Sequence, residues 1–266
     1  MLNSANNLIS QHLFNMDNKK RMPTLRFPEF SGEWEVKKIK DVSTIKSGST
    51  PLRSNKAFFK NGHIWWVNTT DLNNSNITKT EECITELALK ETSIKIYPKN
   101  SVLVAMYGGF NQIGRTGILK IDATTNQALS ILNTNEKLVL PQYLLTWLNA
   151  KVNLWRKFAG SSRKDPNITG SDVASFPIIY PHISEQKKIA DFLSQIDDRI
   201  EKLTNKKQLL ESYKKGIMQK IFNQELRFKD DNGLDFTAWK NKKLSEIGCW
   251  RRLKTDHLER LVPIEY

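Results

Sequence analysis

Cysteine is almost missing from this sequence. Cys83 and Cys249 are the only two among 266 residues, and they lie far apart. A disulfide framework and a structural zinc set are excluded, and a reducing compartment, the cytoplasm, is expected. No apolar run approaches the roughly 20 residues that span a bilayer, so no membrane association is expected. The opening residues, MLNSANNLIS, have no basic head and no sustained apolar stretch, unlike a secretory signal. Acidic residues are also short: 28 Asp and Glu stand against 41 Lys and Arg, giving a net charge of +13. That excess points to a polyanionic partner, most often nucleic acid.

Catalytic signatures are absent too. His12, His63, His182 and His257 show no metal-ligand spacing and no nearby thiol, and there is no phosphate-binding glycine loop. Asp165-Pro166-Asn167-Ile168 lacks the second proline and the aromatic residue that a base-flipping adenine methyltransferase loop would need. It reads as a turn before a strand. Glu35-Val36-Lys37 has the spacing of some nuclease motifs, but no suitable Asp precedes it.

The residues that are present fall into four stretches. Residues 1–24 are polar and aperiodic and are expected to be a disordered leader. Residues 25–180 mix strand-length apolar runs (64–67, 101–106, 117–121, 129–132) with helix-like pieces at 142–157 and, more weakly, 80–92. Strands and helices do not alternate regularly, so the fold class is α+β rather than a doubly wound sheet. Trp65 and Trp66 adjoin, so a strand would send them to opposite faces, at least one into the core. More than half of the net positive charge lies in 25–180.

From Ser184 no Pro or Gly interrupts the chain until Gly216. Ile189, Ile196, Leu203, Leu210 and Ile217 recur every seven residues, and Phe192, Ile200, Tyr213 and Ile221 fill most intermediate positions. Lys207 breaks the second series. This is the seam of a packing helix over 184–222, within a spacer assigned to 181–224. No second long helix is available to cover it, so the expected partner is another chain.

Residues 225–266 begin a repeat. Leu25-Arg26-Phe27 and, after a gap, Trp34 with Lys37-Lys38-Ile39 return as Leu226-Arg227-Phe228, then Trp239 with Lys242-Lys243-Leu244. The gap is four residues longer in the second copy. Residues 249–266 do not resemble TIKSGSTPLRSNK, the continuation of the first copy from Thr44.

The motifs in order are LRFPEFSGEW from Leu25, SGSTPLRSN from Ser47, IWWVNTTDL from Ile64, VLVAMYG from Val102 and IGRTGIL from Ile113. TNQAL from Thr125, PNITGSDV from Pro166, FPIIYP from Phe176 and SEQKKIADFL from Ser184 complete the series. The chain thereby resembles the specificity subunit of type I restriction–modification systems, over about Leu25 to Ile247. The resemblance implies a target-recognition domain and a helical spacer, a plan normally repeated twice. Each domain reads one half of a split double-stranded DNA target, and the spacer helices set the distance between halves. It implies a non-catalytic chain without cofactor of its own. S-adenosylmethionine belongs to the partner modification (methyltransferase) subunits; ATP and Mg are expected on partner subunits, the restriction subunit carrying translocase and nuclease. Set against that plan, the sequence is expected to hold one recognition domain and only the start of a second repeat. It reads either as a form that homodimerises or pairs with another specificity chain, or as a shortened, assembly-only chain. A standalone DNA-modifying enzyme is the remaining rival.

Three segments carry side chains suited to DNA. Lys46, Ser47, Thr50, Arg53 and Lys56, with Thr69 and Thr70, suit phosphate and base-edge contacts. Tyr107, Asn111, Gln112 and Arg115 flank Gly108-Gly109; Asn or Gln can pair with adenine, and Arg with guanine or phosphate. Arg163 and Lys164 suit backbone contact. Each segment reads equally as a solvated loop or turn.

Overall fold

The computed structural model describes residues 16–17, 22–109, 111–159 and 167–248. Arg163, Lys164 and residues 249–266 lie outside these, as does most of the leader. The residues divide into two compact units, one up to Thr204 and one from Asn205.

In the first unit β1 (Met16–Asp17) pairs antiparallel with β2 (Met22–Pro23). A five-stranded sheet then has the order β4-β11-β8-β9-β6. Its strands are β4 (Ser43–Ser47), β6 (Asn76–Ile77), β8 (Val102–Ala105), β9 (Thr116–Leu119) and β11 (Leu129–Thr134). Only β6 joins it in parallel. A smaller sheet has β5 (Ile64–Val67) between β7 (Glu82–Ile84) and the parallel β10 (Thr124–Thr125). A third pairs β3 (Glu35–Lys38) with β12 (Pro177–Tyr180). The fold class is α+β.

The unbroken apolar run of β8 has a simple cause: both sheet faces are covered. Val102 and Val104 join the core beneath α3 (Pro141–Ala150), whereas Leu103 and Ala105 join a second core with Val67 and Leu72. A period of two therefore divides one strand between two cores. The tryptophan pair does the same. Trp66 is buried with Phe58 and Ile84, and Trp65 packs on the Val67–Leu72 core. Both are structural.

Two elements differ from their sequence patterns. Residues 142–157 form two helices, because α3 ends at Lys151 and α4 (Val152–Phe158) restarts there. The break lets Trp155 stack on Phe176 at 3.8 Å. Gly114 passes directly against that indole with φ +76°, so a side chain there would meet both a strained backbone and the ring. Residues 80–92 divide into β7 and α2 (Glu86–Glu91), whose cap is the Thr85 hydroxyl.

The long helix, α6 (Ile183–Phe222), has 40 residues and spans about 60 Å at about 1.5 Å per residue. Its first turns are fastened to the domain that precedes it. Buried Gln186 accepts from Leu140 N–H and donates to the carbonyls of Leu138 and Pro181. Ile189 and Leu193 enter the domain core, with Ile196 at its edge. The start of the seam is thus covered within the chain, which corrects the expectation that another chain covers all of it. Leu203, Leu210 and Tyr213 remain exposed, and Ile200, Ile217 and Ile221 are half-buried.

In the first unit, α1 (Ile39–Val42) links β3 to β4, and α5 (Gly170–Ser175) precedes β12. In the second unit, the chain after α6 contains the repeated motifs. Asp230 organises a turn by accepting from the N–H groups of Asn232 and Leu234, with Gly233 at φ +78°. This turn accounts for the four additional residues between Arg227 and Trp239. α7 (Leu244–Ile247) closes the described chain. Among the described residues no helix is long and apolar enough to cross a membrane.

Candidate nucleic-acid interface

The loops singled out from sequence emerge at one end of the sheets, around the segment from Thr125 to Ala128. Beyond the end of β4, Gly48 N–H donates to Leu129 O and Ser49 N–H to Thr125 O at 2.9 Å. Beyond the end of β8, Met106 N–H donates to Ala128 O at 2.8 Å. At the last residue of β5, Asn126 N–H donates to Val67 O at 3.0 Å. Three strands therefore deliver residues 48–56, 68–71 and 107–115 to one hub. Gly48 is required there because an added Cβ would collide with the Asn126 carbonyl.

A polar chain fixes the first two loops. Arg53 grips both carboxylate oxygens of Glu82, at 2.6 and 2.8 Å, and its guanidinium lies over the rings of Phe59 and Trp66. Glu82 also accepts from Asn68 Nδ2, and the Asn68 Oδ1 accepts from Asn126 Nδ2. The Arg53 hydrogen bonds hold the Glu82 carboxyl below its ordinary value, against the opposing effect of burial. The same partner raises Arg53. Arg53 is therefore committed to holding the loop. Asp71 completes the frame, accepting from Asn68 N–H and Glu81 N–H.

The glycine-flanked loop divides similarly. Gly108 and Gly109 adopt φ +110° and +74°, which turn the chain after β8. Arg115 donates to Gln112 Oε1 at 2.8 Å and also to Leu72 O. Those two side chains brace each other and tie this loop to the one before it. Tyr107 and Asn111 are exposed. Lys46 and Ser47 are exposed on β4, Lys56 opens a one-turn helix capped by Asn55, and Thr69 and Thr70 lie on a second such turn. The exposed donors and acceptors at this end are thus Lys46, Ser47, Lys56, Thr70, Tyr107 and Asn111. Periodicity missed Asn126, whose side chain joins the loops; a lone Asn between two strands carries no signal of that task. Among the described residues no three His, Cys, Asp or Glu side chains are grouped to hold a metal ion.

This plan, loops at one sheet end and a long helix leaving the other part of the domain, has relatives. The family model for the type I restriction modification DNA specificity domain matches residues 31–212. The chain belongs to that family. It is similar to the type I restriction enzyme MjaIX specificity subunit of Methanocaldococcus jannaschii, with 31% identity over 81% of this chain and 51% of that protein. It is also similar to the EcoR124I/EcoR124II specificity subunit of Escherichia coli, 25% identical over 65% of this chain and 43% of that one. Among solved structures, the HsdS subunit from Thermoanaerobacter tengcongensis aligns with a TM-score of 0.52 at 18% identity, over 84% of this chain and 52% of that chain. The S subunit from M. genitalium aligns at 0.55 and 18%, over 78% and 49%. These two likenesses concern the fold. The chain spans about half the length of the curated relatives it matches.

Proposed function

We propose that this specificity domain binds double-stranded DNA through the loop cluster around Asn126 and reads one half of a bipartite target. The observation that carries the reading is convergence: three sequence-distant loops, each with exposed polar or basic side chains, are braced into one surface. Bracing by Arg53–Glu82 and Gln112–Arg115 pre-organises the exposed groups, which lowers the ordering cost of binding. Lys46 and Lys56, with Arg163 and Lys164 from outside the described residues, supply phosphate contacts, and Tyr107 and Asn111 face the base edges. The chain contributes recognition and no chemistry. S-adenosylmethionine, ATP and Mg act on the modification and restriction subunits it directs. The exposed part of α6 pairs antiparallel with the same helix of a second specificity chain, so two identical readers face the DNA.

Copurification with the cognate modification subunit, followed by genome-wide mapping of methylated adenines, tests this. An interrupted palindrome is expected. Methyl transfer by the purified chain alone, or no affinity for any DNA, overturns the reading. Asn111→Ala is expected to lose about 1–3 kcal/mol on the preferred site and little on random DNA. Equal losses on both would limit Asn111 to backbone contact.

A further inference from the structure

The second copy of the repeated segment shares the first copy's arginine clamp and closing turn, yet among the described residues no part of its own unit buries it. α1 occupies residues 39–42 and α7 residues 244–247, at the same register after Trp34 and Trp239. Their flanks match: Lys38 and Lys243 are extended before the turn, and Ser43 and Gly248 are extended after it, with φ −150° and −148°. In both copies the arginine of the Leu-Arg-Phe triplet donates to two backbone carbonyls on the approach to the tryptophan, Arg26 to Ser31 and Gly32, and Arg227 to Phe236 and Thr237.

Burial separates them. Trp34, Ile39 and Val42 are 2%, 0% and 1% exposed; Trp239, Leu244 and Ile247 are 48%, 69% and 69% exposed. The first copy is covered by a defined surface at the base of α6. Arg26 pairs with both oxygens of Glu185, Phe27 meets Phe192 edge-on at 5.8 Å, Trp34 meets Tyr143, and β3 pairs with β12. The second copy has the Arg, Phe, Trp and paired apolar residues for each of these positions.

We propose that Leu226–Ile247 is an exchange strap: its receptor is the α6 base and β12 edge of a second copy of this chain, where it competes with that copy's Leu25–Val42. This rests on the helix pairing proposed above. An antiparallel pair matched from Ile196 to the partner's Ile217 puts Leu226 opposite the partner's Lys187, between Glu185 and Phe192 in sequence. The strap of each chain thus arrives at the other's receptor with a cation for its carboxylate and a ring for its ring.

The full chain carrying Cys83→Ser, Cys249→Ser, Phe192→Cys and Phe228→Cys, treated with a short bis-maleimide, tests the exchange. A dimer-sized product is expected. Adding Arg26→Glu, which weakens the resident copy, should raise its yield several-fold, and adding Arg227→Glu should abolish it. Phe27→Cys with Phe192→Cys in the same background must give an intrachain link, which shows that a chain carrying Phe192→Cys folds and leaves its receptor intact. Sedimentation of the same samples separates the two ideas. A dimer with no 192–228 product overturns the strap alone, as does a yield indifferent to both arginine changes. A monomer overturns the pairing and the strap together.

Discussion

The two copies of the repeated segment present nearly one local structure in two environments. Arg26 and Arg227 hold their loops by carbonyl bonds, and α1 and α7 are the same single turn. Yet Trp34 is a core residue and Trp239 is half-exposed, touching the Phe222 ring at 5.9 Å. Local sequence therefore specifies the turn and the carbonyl clamp, while the surface it docks on decides whether the same side chains add stability. Energy in the first copy comes from β12 and the base of α6, both distant in sequence.

The largest effect should separate the two tryptophans. Trp34→Ala leaves a cavity beside Tyr143 and should cost about 3–5 kcal/mol. Trp239→Ala should cost under about 1 kcal/mol in the monomer, because most of its loss is of already solvated surface. Urea unfolding of the isolated chain measures both. Similar losses would mean that the second copy has a receptor of its own.

The next effect concerns charge. Arg26 is 14% exposed and Glu185 only 2%. Glu185→Gln leaves the guanidinium without its counter-ion and should cost about 3 kcal/mol, at the low end for breaking a buried pair. Among the described residues Arg227 donates to carbonyls and to no carboxylate, so Arg227→Gln should shift the unfolding midpoint little. A double change, Arg26→Met with Glu185→Met, should recover much of the loss, since an apolar pair avoids the desolvation cost. Failure to recover would show that the Arg26 bonds to the Ser31 and Gly32 carbonyls, or a further task of Glu185, count beyond the ion pair.

Much of this arrangement was legible in sequence. The heptad spacing gave α6 within one residue at its start, and the apolar runs gave β5, β8, β9 and β11, because those signals are local and periodic. The repeat was visible as well. The features that escaped were polar and long-range. Glu185 and Gln186 read as the solvated face of a helix, yet both are buried, and only the 159-residue jump to Arg26 and the contacts of Gln186 with Leu138 and Leu140 explain them. Ile189 kept the seam's period while joining the domain core, because the period states which face is apolar and not what covers it. In the candidate loops sequence picked out segments that the fold brings together, but not their division of labour. Arg53, Gln112 and Arg115 have side chains suited to DNA, and geometry assigns them to bracing.

The smallest expected effect is a pH dependence belonging to the first copy. Lys37 lies 3.3 Å from Glu35, and the Tyr180 ring of β12 sits beside it. Tyr180, then Glu35, raises the Lys37 ammonium above its ordinary value of 10.5. Burial, more than any neighbour, raises the Tyr180 phenol above 10.0. A lysine raised on folding stabilises the protein fully below its unfolded pKa and loses that contribution as pH rises through the folded one. The phenol behaves alike, since its neutral form is favoured in the fold. Both contributions are therefore intact at neutral pH and fade only above about pH 10. The β3–β12 ladder should loosen in that window, seen as faster amide exchange at Ile178 and Tyr180 than the pH alone produces. Lys37→Met should remove the lysine's share of this step while leaving exchange at neutral pH nearly unchanged, because the Lys37 side chain is more than a third exposed and its pairing is weak. If the step persists in full in Lys37→Met, Tyr180 alone carries it. If it is absent in the unaltered protein, the clamp between entry strand and β12 rests on backbone pairing and apolar burial, and the two copies differ in burial only.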